Sequence, residues 1–187
     1  MKFRDISSCV NVLFAVAICM PVAVAAQSVE VETRVESDGS STMVHTALVE
    51  APPKEVWHAI STAEGWMTWA VPIAWISSVD GDVLETSYDP ADSPGSPSTI
   101  QHRFLVRIPE KMLAFRTIKA PEGFPHWTTY QEVTSVFELE PAGDGTLVRL
   151  TSTGYPDTAA GRELVAFFER GNAETLEDLH KSFAAKP

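Results

Sequence analysis

Residues 159–183 read AAGRELVAFFERGNAETLEDLHKSF, and this stretch decides the fold because it is the longest helical pattern in the chain. Its apolar positions recur at helical spacing and predict a single stripe along a long helix. Pro156 and Asp157 come just before it, which predicts a helix start with Asp157 as the N-cap. Gly171-Asn172 weakens the pattern midway, since Gly costs about 1 kcal/mol relative to Ala inside a helix. The stripe consists of Leu164, Phe167, Phe168, Gly171, Thr175, Leu176, Leu179 and Phe183.

The sequence before this helix predicts mostly β-strands. Residues 28–50 alternate around a turn cluster at 37–40 and are typical of a β-hairpin. Pro52-Pro53 ends the second strand and favours a helix start, so two short helices are predicted, one to about Thr62 and one over 63–70. Short loops separate the later strand signals. These strands are predicted over residues 73–79, 83–88, 100–108, 112–118, 129–140 and 146–155.

The order of these elements predicts an α+β fold. Consecutive strands joined by short loops form an antiparallel meander, and one long apolar helix must cover its open face. We therefore expect a curved antiparallel sheet of six to seven strands wrapped on the C-terminal helix, with two short helices after the first strand. A helix laid across a curved sheet does not pack flush along its whole length, so we also expect an internal cavity.

The first 26 residues have the pattern of a secretory signal peptide. Lys2 and Arg4 are followed by an uncharged apolar segment, and small residues end at Ala25 and Ala26. We expect cleavage near this point, a periplasmic or secreted protein, and one domain over residues 27–187. A retained membrane anchor is the alternative, although polar residues and Pro21 interrupt the apolar run. After cleavage we expect no stable membrane insertion.

Composition and missing motifs exclude several functional classes. The formal net charge is −11, which argues against nucleic acid or anionic lipid headgroups as main partners, because those need clustered Lys and Arg. Cys9 and Cys19 both fall in the predicted signal, so the mature chain has no thiol. The histidines show no metal-binding spacing, and phosphate-loop, dinucleotide and hydrolase-elbow motifs are missing from the sequence. We expect no metal and no cofactor.

Several stretches resemble the START-like, or SRPBCC, superfamily with the helix-grip fold, within the polyketide cyclase/dehydrase-like clan. The closest likeness is to the branch of heat-shock-protein ATPase activator homologues. Two positions depart from the pattern. Many relatives have a His before the Ser-Gly pair of the last strand, whereas this chain reads Thr151-Ser152-Thr153-Gly154, and a Trp is common after the mid-helix Gly, whereas here Asn172 follows Gly171. The resemblance rests on residues 49–57 (VEAPPKEVW), Trp66 and Trp69, 109–115, 133–139 and 145–155.

The resemblance implies a cavity between the last helix and the sheet, and the aromatic residues provide its candidate walls. Trp66 and Trp69 lie three residues apart and either line the cavity mouth or plug the core. Alternation over residues 100–108 places Ile100, His102, Phe104, Val106 and Ile108 on one face, so His102 points inward as a ligand contact or as a core histidine. The predicted ligand-binding residues are Trp66, Trp69, Trp75, His102, Phe104, Phe115, Trp127, Phe137 and Phe168.

Three functions remain open at this point. The first hypothesis is a non-catalytic protein that binds a small hydrophobic, lipid-like or aromatic molecule in the cavity. The second is an enzyme of the cyclase/dehydratase type, for which His102, His126 and Tyr130 are the candidate proton-transfer groups. The third is the co-chaperone role implied by the activator homologues, which predicted export disfavours. The oligomeric state is left open by the sequence.

Overall fold

The computed structural model describes residues 28–79 and 81–184. The predicted signal peptide, with Cys9 and Cys19, lies outside these residues. Eight strands and four helices follow one another in the described part of the chain. They are β1 (Val29–Val35), β2 (Ser41–Val49), α1 (Pro53–Ser61), α2 (Ala63–Trp66), β3 (Ile73–Ile76), β4 (Val83–Ser87), β5 (Ile100–Ile108), β6 (Met112–Lys119), α3 (Trp127–Tyr130), β7 (Thr134–Ala142), β8 (Gly145–Tyr155) and α4 (Ala159–Phe183).

The strands form one curved, unclosed antiparallel sheet in the order β1-β2-β8-β7-β6-β5-β4-β3. The α+β class and the helix-grip arrangement are thus confirmed, with eight strands in place of six to seven. The hairpin predicted over residues 28–50 corresponds to β1 and β2, which pair from Val29 opposite Ala47 to Val35 opposite Ser41, with β1 at an edge of the sheet. Helices α1 and α2 follow β2, the second strand of this hairpin, so the expectation that they follow the first strand is wrong.

Helix α4 packs across the β1-β2-β8 side of the sheet. Its buried apolar residues lie towards its two ends, with Leu164 near the start and Leu176 and Leu179 near the finish. Two histidines also connect it to the sheet: His45 Nε2 donates to the Glu169 carbonyl oxygen at 2.8 Å, and His180 Nδ1 donates to the Leu48 carbonyl oxygen at 2.7 Å. Another face of α4, with Phe168, Gly171 and Thr175, is turned towards the concave surface of the remaining strands.

Helix starts correct two details of the sequence prediction. Thr158, and not Asp157, caps α4, because its hydroxyl accepts from the Gly161 N–H at 3.1 Å. The Asp157 carboxylate instead pairs with Arg162 at 2.6 Å. The strand predicted over 129–140 begins only at Thr134, because residues 127–130 form the short helix α3.

A break in the register of β5 corrects the predicted inward face of that strand. The pairing of β5 with β6 shifts between Phe104 and Val106, so the predicted inward face ends at Phe104, which is buried. Val106 and Ile108, predicted to share that face, are 43% and 44% exposed. None of the helices in residues 28–79 and 81–184 is long and apolar enough to cross a membrane.

Candidate ligand-binding cavity

A cavity of about 560 Å³ lies between the middle of α4 and the concave face of the sheet. Two separate packed clusters of buried residues lie around it. One is centred on the sheet and on α1 and α2, and the other is the smaller group of Met43, Val133, Tyr155 and Leu164. The walls come from α2, strands β4 to β8, the segment 120–124, α3 and α4.

Trp66 and Trp69 form one wall, and both also hold α1 in place. Their indole N–H groups donate to the last-turn carbonyl oxygens of α1, Trp66 to Ile60 at 2.7 Å and Trp69 to Ala59 at 3.0 Å. Carbonyls at the end of a helix have no partner inside the helix, so these bonds satisfy both sides. Because the two N–H groups are occupied, the rings present only apolar surface to the cavity.

A row of rings extends this wall across the sheet. The Trp66 ring is stacked on His102 with centroids 5.7 Å apart, and His102 meets Phe115 edge-on at 5.3 Å. Phe115 is in turn stacked near Phe137 at 6.0 Å. A second group covers the opposite end, where Tyr130 stacks on Phe168 of α4 at 4.5 Å. The cavity is therefore bounded by aromatic surface at both ends.

One line of polar side chains crosses this aromatic surface. His102 Nδ1 lies 3.1 Å from Thr117 Oγ1, and the Thr117 hydroxyl donates to Tyr130 Oη at 3.4 Å. Burial lowers the pKa of His102 to about 4. Burial also raises the pKa of Tyr130, only partly offset by the Thr117 hydrogen bond. Both groups are consequently neutral near pH 7.

The helix side of the cavity is open in its middle. Gly171 lines the cavity, and a Cβ built there would meet no atom within 4 Å. The next residue, Asn172, donates to Ser152 Oγ at 3.3 Å. Glu174 and Asp178, one and two turns further on, also line the cavity and are exposed, which places them at its mouth.

The structure brings some predicted ligand contacts together and separates others. Trp75, half-buried on β3, and Phe104, buried in the core under the Arg107 guanidinium, do not line the cavity. Trp127 contacts Tyr130 edge-on, with ring centroids 6.4 Å apart, and does not line the cavity. His126 pairs at 2.7 Å with Glu163 on the surface, away from the cavity. The residues that do line it are Trp66, Trp69, His102, Phe115, Phe137, Phe168 and the catalytic candidate Tyr130.

Several lining residues were not among those predicted. Neither the acidic residues Glu174 and Asp178 nor Thr117 carried a sequence signal that marks a cavity. The break at Gly171-Asn172 was the available clue, because Glu174 and Asp178 follow Gly171 at helical spacing and so share its face. The unpredicted lining residues that matter below are Gly171, Asn172, Thr117, Glu174 and Asp178.

A second hollow, of about 610 Å³, lies on the outer side of the sheet beside the β5–β6 turn. Charged residues such as Lys111, Glu138 and Arg149 make up much of its boundary, and it is more open to solvent than the inner cavity. It lacks the enclosing aromatic walls expected of a small-molecule site. Among the residues described, no cluster of three or more His, Cys, Asp or Glu is placed to hold a metal ion.

The low pKa of His102 predicts a pH-dependent stability. An unfolded histidine binds a proton below about pH 6.5, whereas folded His102 stays neutral down to about pH 4. The unfolded state therefore binds more protons in this window, and the free energy of unfolding falls as the pH falls, by about 3 kcal/mol over the window for this group. Urea unfolding of the protein and of His102→Asn, which keeps a polar atom near the Nδ1 position, measures the effect.

Between pH 6.5 and pH 4, the free energy of unfolding of His102→Asn should fall by about 3 kcal/mol less than that of the unchanged protein. His45, whose pKa is also lowered by burial, is unchanged in both proteins and cancels in the comparison. Parallel stability curves for the two proteins would contradict a neutral, buried His102.

The long helix, the curved antiparallel sheet and the cavity between them define a helix-grip protein. The chain matches the family model described as "Polyketide cyclase / dehydrase and lipid transport" over residues 25–186. It belongs to that family. Comparison with curated protein sequences finds no match.

Solved structures support the fold at low identity. The Aha1 dimer from Colwellia psychrerythraea is 18% identical, with a TM-score of 0.58 over 76% of this chain and 95% of the other. CalU16 from Micromonospora echinospora is 18% identical, with a TM-score of 0.58 over 84% and 87% of the two chains. A protein from Bacillus thuringiensis is 16% identical, with a TM-score of 0.61 over 77% and 99%.

Proposed function

We propose that this protein is an exported, non-catalytic binding protein that holds a small hydrophobic or aromatic molecule between α4 and the sheet. The observation that carries the proposal is the cavity of about 560 Å³ with aromatic walls. Pockets that bind small organic molecules have volumes of roughly 300–1,000 Å³ and mostly apolar linings with a few polar groups. The family description, which includes lipid transport, is consistent with such a ligand.

The chemistry of the walls supports binding by burial of apolar surface. Trp66 and Trp69 use their N–H groups on α1, so they contribute only ring surface to a ligand. Phe115, Phe137 and Phe168 have no polar atoms. An apolar ligand that covers these rings gains about 25 cal/mol for each Å² removed from water.

Catalysis in the same cavity is the second candidate, and one observation favours it. The hydrogen-bonded line of His102, Thr117 and Tyr130 connects two titratable groups through a hydroxyl. Their pKa values count against proton transfer, because a general acid or base works best with a pKa near the operating pH. The pKa of His102 is lowered to about 4 and that of Tyr130 is raised, so neither is poised near neutrality.

The sequence supports export, whereas the likeness to a solved Aha1 structure does not support a co-chaperone role. The basic start, apolar segment and small-residue end of residues 1–26 support export. The likeness to the Colwellia Aha1 dimer, at 18% identity, concerns the fold and carries no argument about a partner. A cavity lined by rings is also of no use to a protein that acts only through its outer surface.

Native mass spectrometry of the protein isolated from a periplasmic extract tests the proposal. We expect a form lacking about 26 residues, with a small molecule retained in the folded protein. Titration of delipidated protein with phenylnaphthylamine, a neutral apolar fluorophore, should give saturable binding in the micromolar range or tighter. If no molecule is retained and the fluorophore does not bind, the binding function is wrong. If the full-length chain stays in the cytoplasm, export is wrong.

A further inference from the structure

We propose that the cavity selects amphiphiles whose polar end is uncharged or cationic and donates a hydrogen bond, and that it rejects carboxylates. The proposal rests on the binding function above and names the class of ligand. It follows from two features of the lining: an inward-facing imidazole nitrogen that accepts hydrogen bonds, and a mouth with two carboxylates but no Lys or Arg among the described lining residues.

The imidazole nitrogen is assigned by the polar line. The Thr117 hydroxyl gives its proton to Tyr130 Oη, so its oxygen accepts from His102 Nδ1–H at 3.1 Å. A neutral histidine has one donor and one acceptor nitrogen, which leaves His102 Nε2 as the acceptor. Among the described residues the His102 side chain bonds only to Thr117, and the rest of its ring borders the cavity. A ligand hydroxyl or amine would satisfy this nitrogen.

The helix side adds further acceptors. Asn172 donates one of its two amide N–H groups to Ser152, and its side-chain carbonyl oxygen is an additional acceptor. Thr175 donates its proton to the Gly171 carbonyl oxygen. The carboxylates of Glu174 and Asp178 lie at the mouth. Lys and Arg do not occur among the described lining residues. Arg170 approaches Glu174 at 3.9 Å, but both side chains are more than two-thirds exposed, so water screens this pair.

A carboxylate ligand is disfavoured in either orientation. With its charge inward, it would sit among aromatic rings and beside an acceptor nitrogen, with the Tyr130 hydroxyl as a neutral donor but no cation. Burial of a charge that no opposite charge pairs is costly. With its charge outward, it would lie beside Glu174 and Asp178 and be repelled by both, although water weakens this repulsion because both side chains are exposed. An alcohol avoids both costs. An ammonium group is attracted to the mouth by the same two carboxylates.

Three probes of equal chain length test this selection. Decanol, decylamine and decanoate are titrated at neutral pH against delipidated protein, with displacement of phenylnaphthylamine as the signal. We expect decanoate to bind about tenfold more weakly than decanol, and decylamine to bind at least as tightly as decanol. The double variant Glu174→Gln/Asp178→Asn should reduce the ratio of decanol to decanoate affinity by several fold.

The control removes an equal number of negative charges from α4, at two positions outside the cavity. Glu169 and Glu177 belong to the same helix and do not line the cavity, so Glu169→Gln/Glu177→Gln should leave the affinity ratio unchanged. An equal change in both double variants would show an effect of net charge alone and would overturn the inference. Decanoate binding as tightly as decanol would also overturn it. So would a protein that binds the fluorophore but from which none of the three probes displaces it. Failure of the fluorophore itself to bind would instead overturn the proposed function.

Discussion

Gly171→Phe is expected to abolish binding of phenylnaphthylamine while the protein remains folded. Gly171 lines the cavity from the middle of α4, and its missing Cβ faces space without any atom within 4 Å. A Phe side chain at this position projects into the cavity and occupies the volume that a ligand would fill. We expect at least a 100-fold loss of affinity, which corresponds to about 2.7 kcal/mol. Fluorescence titration measures the loss, and circular dichroism checks the fold.

Gly171→Ala is the matched control for this variant. A single methyl group takes little of the cavity, so binding should change by less than about threefold. The same change should raise the free energy of unfolding by about 1 kcal/mol, since Gly is a poor residue inside a helix. Phenylnaphthylamine binding to Gly171→Phe as tightly as to the unchanged protein would place the ligand elsewhere and contradict the cavity as the binding site.

Gly65→Ala is expected to lower the free energy of unfolding by about 3 kcal/mol or more. Gly65 lies in α2 directly against the end of α1, where an added Cβ would clash with the His58 carbonyl oxygen and come within 2.6 Å of Ala59 Cα. Both are backbone atoms, so a side-chain rotation cannot relieve the clash, and the two helices must separate. Urea unfolding measures the loss.

The same clash should weaken ligand binding. Separation of α1 and α2 breaks the hydrogen bonds from Trp66 and Trp69 to the carbonyls of α1, so the tryptophan wall loses its support. Gly171→Ala again provides the comparison, because it makes the same substitution in a helix where nothing is in the way. A free energy of unfolding for Gly65→Ala within about 0.5 kcal/mol of the unchanged protein would contradict the close packing of the two helices.

The elements with strong periodicity could be predicted from the sequence. The spacing of apolar residues gave α4 its bounds, and the paired prolines marked the start of α1. The strand predicted over 129–140 starts too early because a stretch with Thr129 and Tyr130 suits a strand. In the structure Tyr130 packs on Phe168 at 4.5 Å from a helical turn. The prediction that Val106 and Ile108 share the inward face of β5 failed because the register shifts after Phe104. Simple alternation of apolar and polar residues does not reveal such a shift.

The candidate site could be predicted only in part. Aromatic side chains are good indicators of a cavity wall, and Trp66, Trp69, Phe115, Phe137 and Phe168 all line it. Trp75, Phe104 and Trp127 are equally aromatic but lie outside it, because residue type does not say which strand or helix a side chain will face. For the same reason the sequence did not place the acidic pair of Glu174 and Asp178, which is exposed, at the mouth of the cavity.

By itself the sequence determined the class of fold, the long covering helix and the apolar character of the cavity, because these follow from local periodicity and from the burial of apolar surface. Only the tertiary structure decided which groups face the cavity. His102 bonds to Thr117, which bonds in turn to Tyr130, and all three come from different elements. Glu174 and Asp178 reach the mouth because the face of α4 that carries Gly171 borders the cavity. Such contacts join residues far apart in the chain, and no local pattern encodes the distance between them.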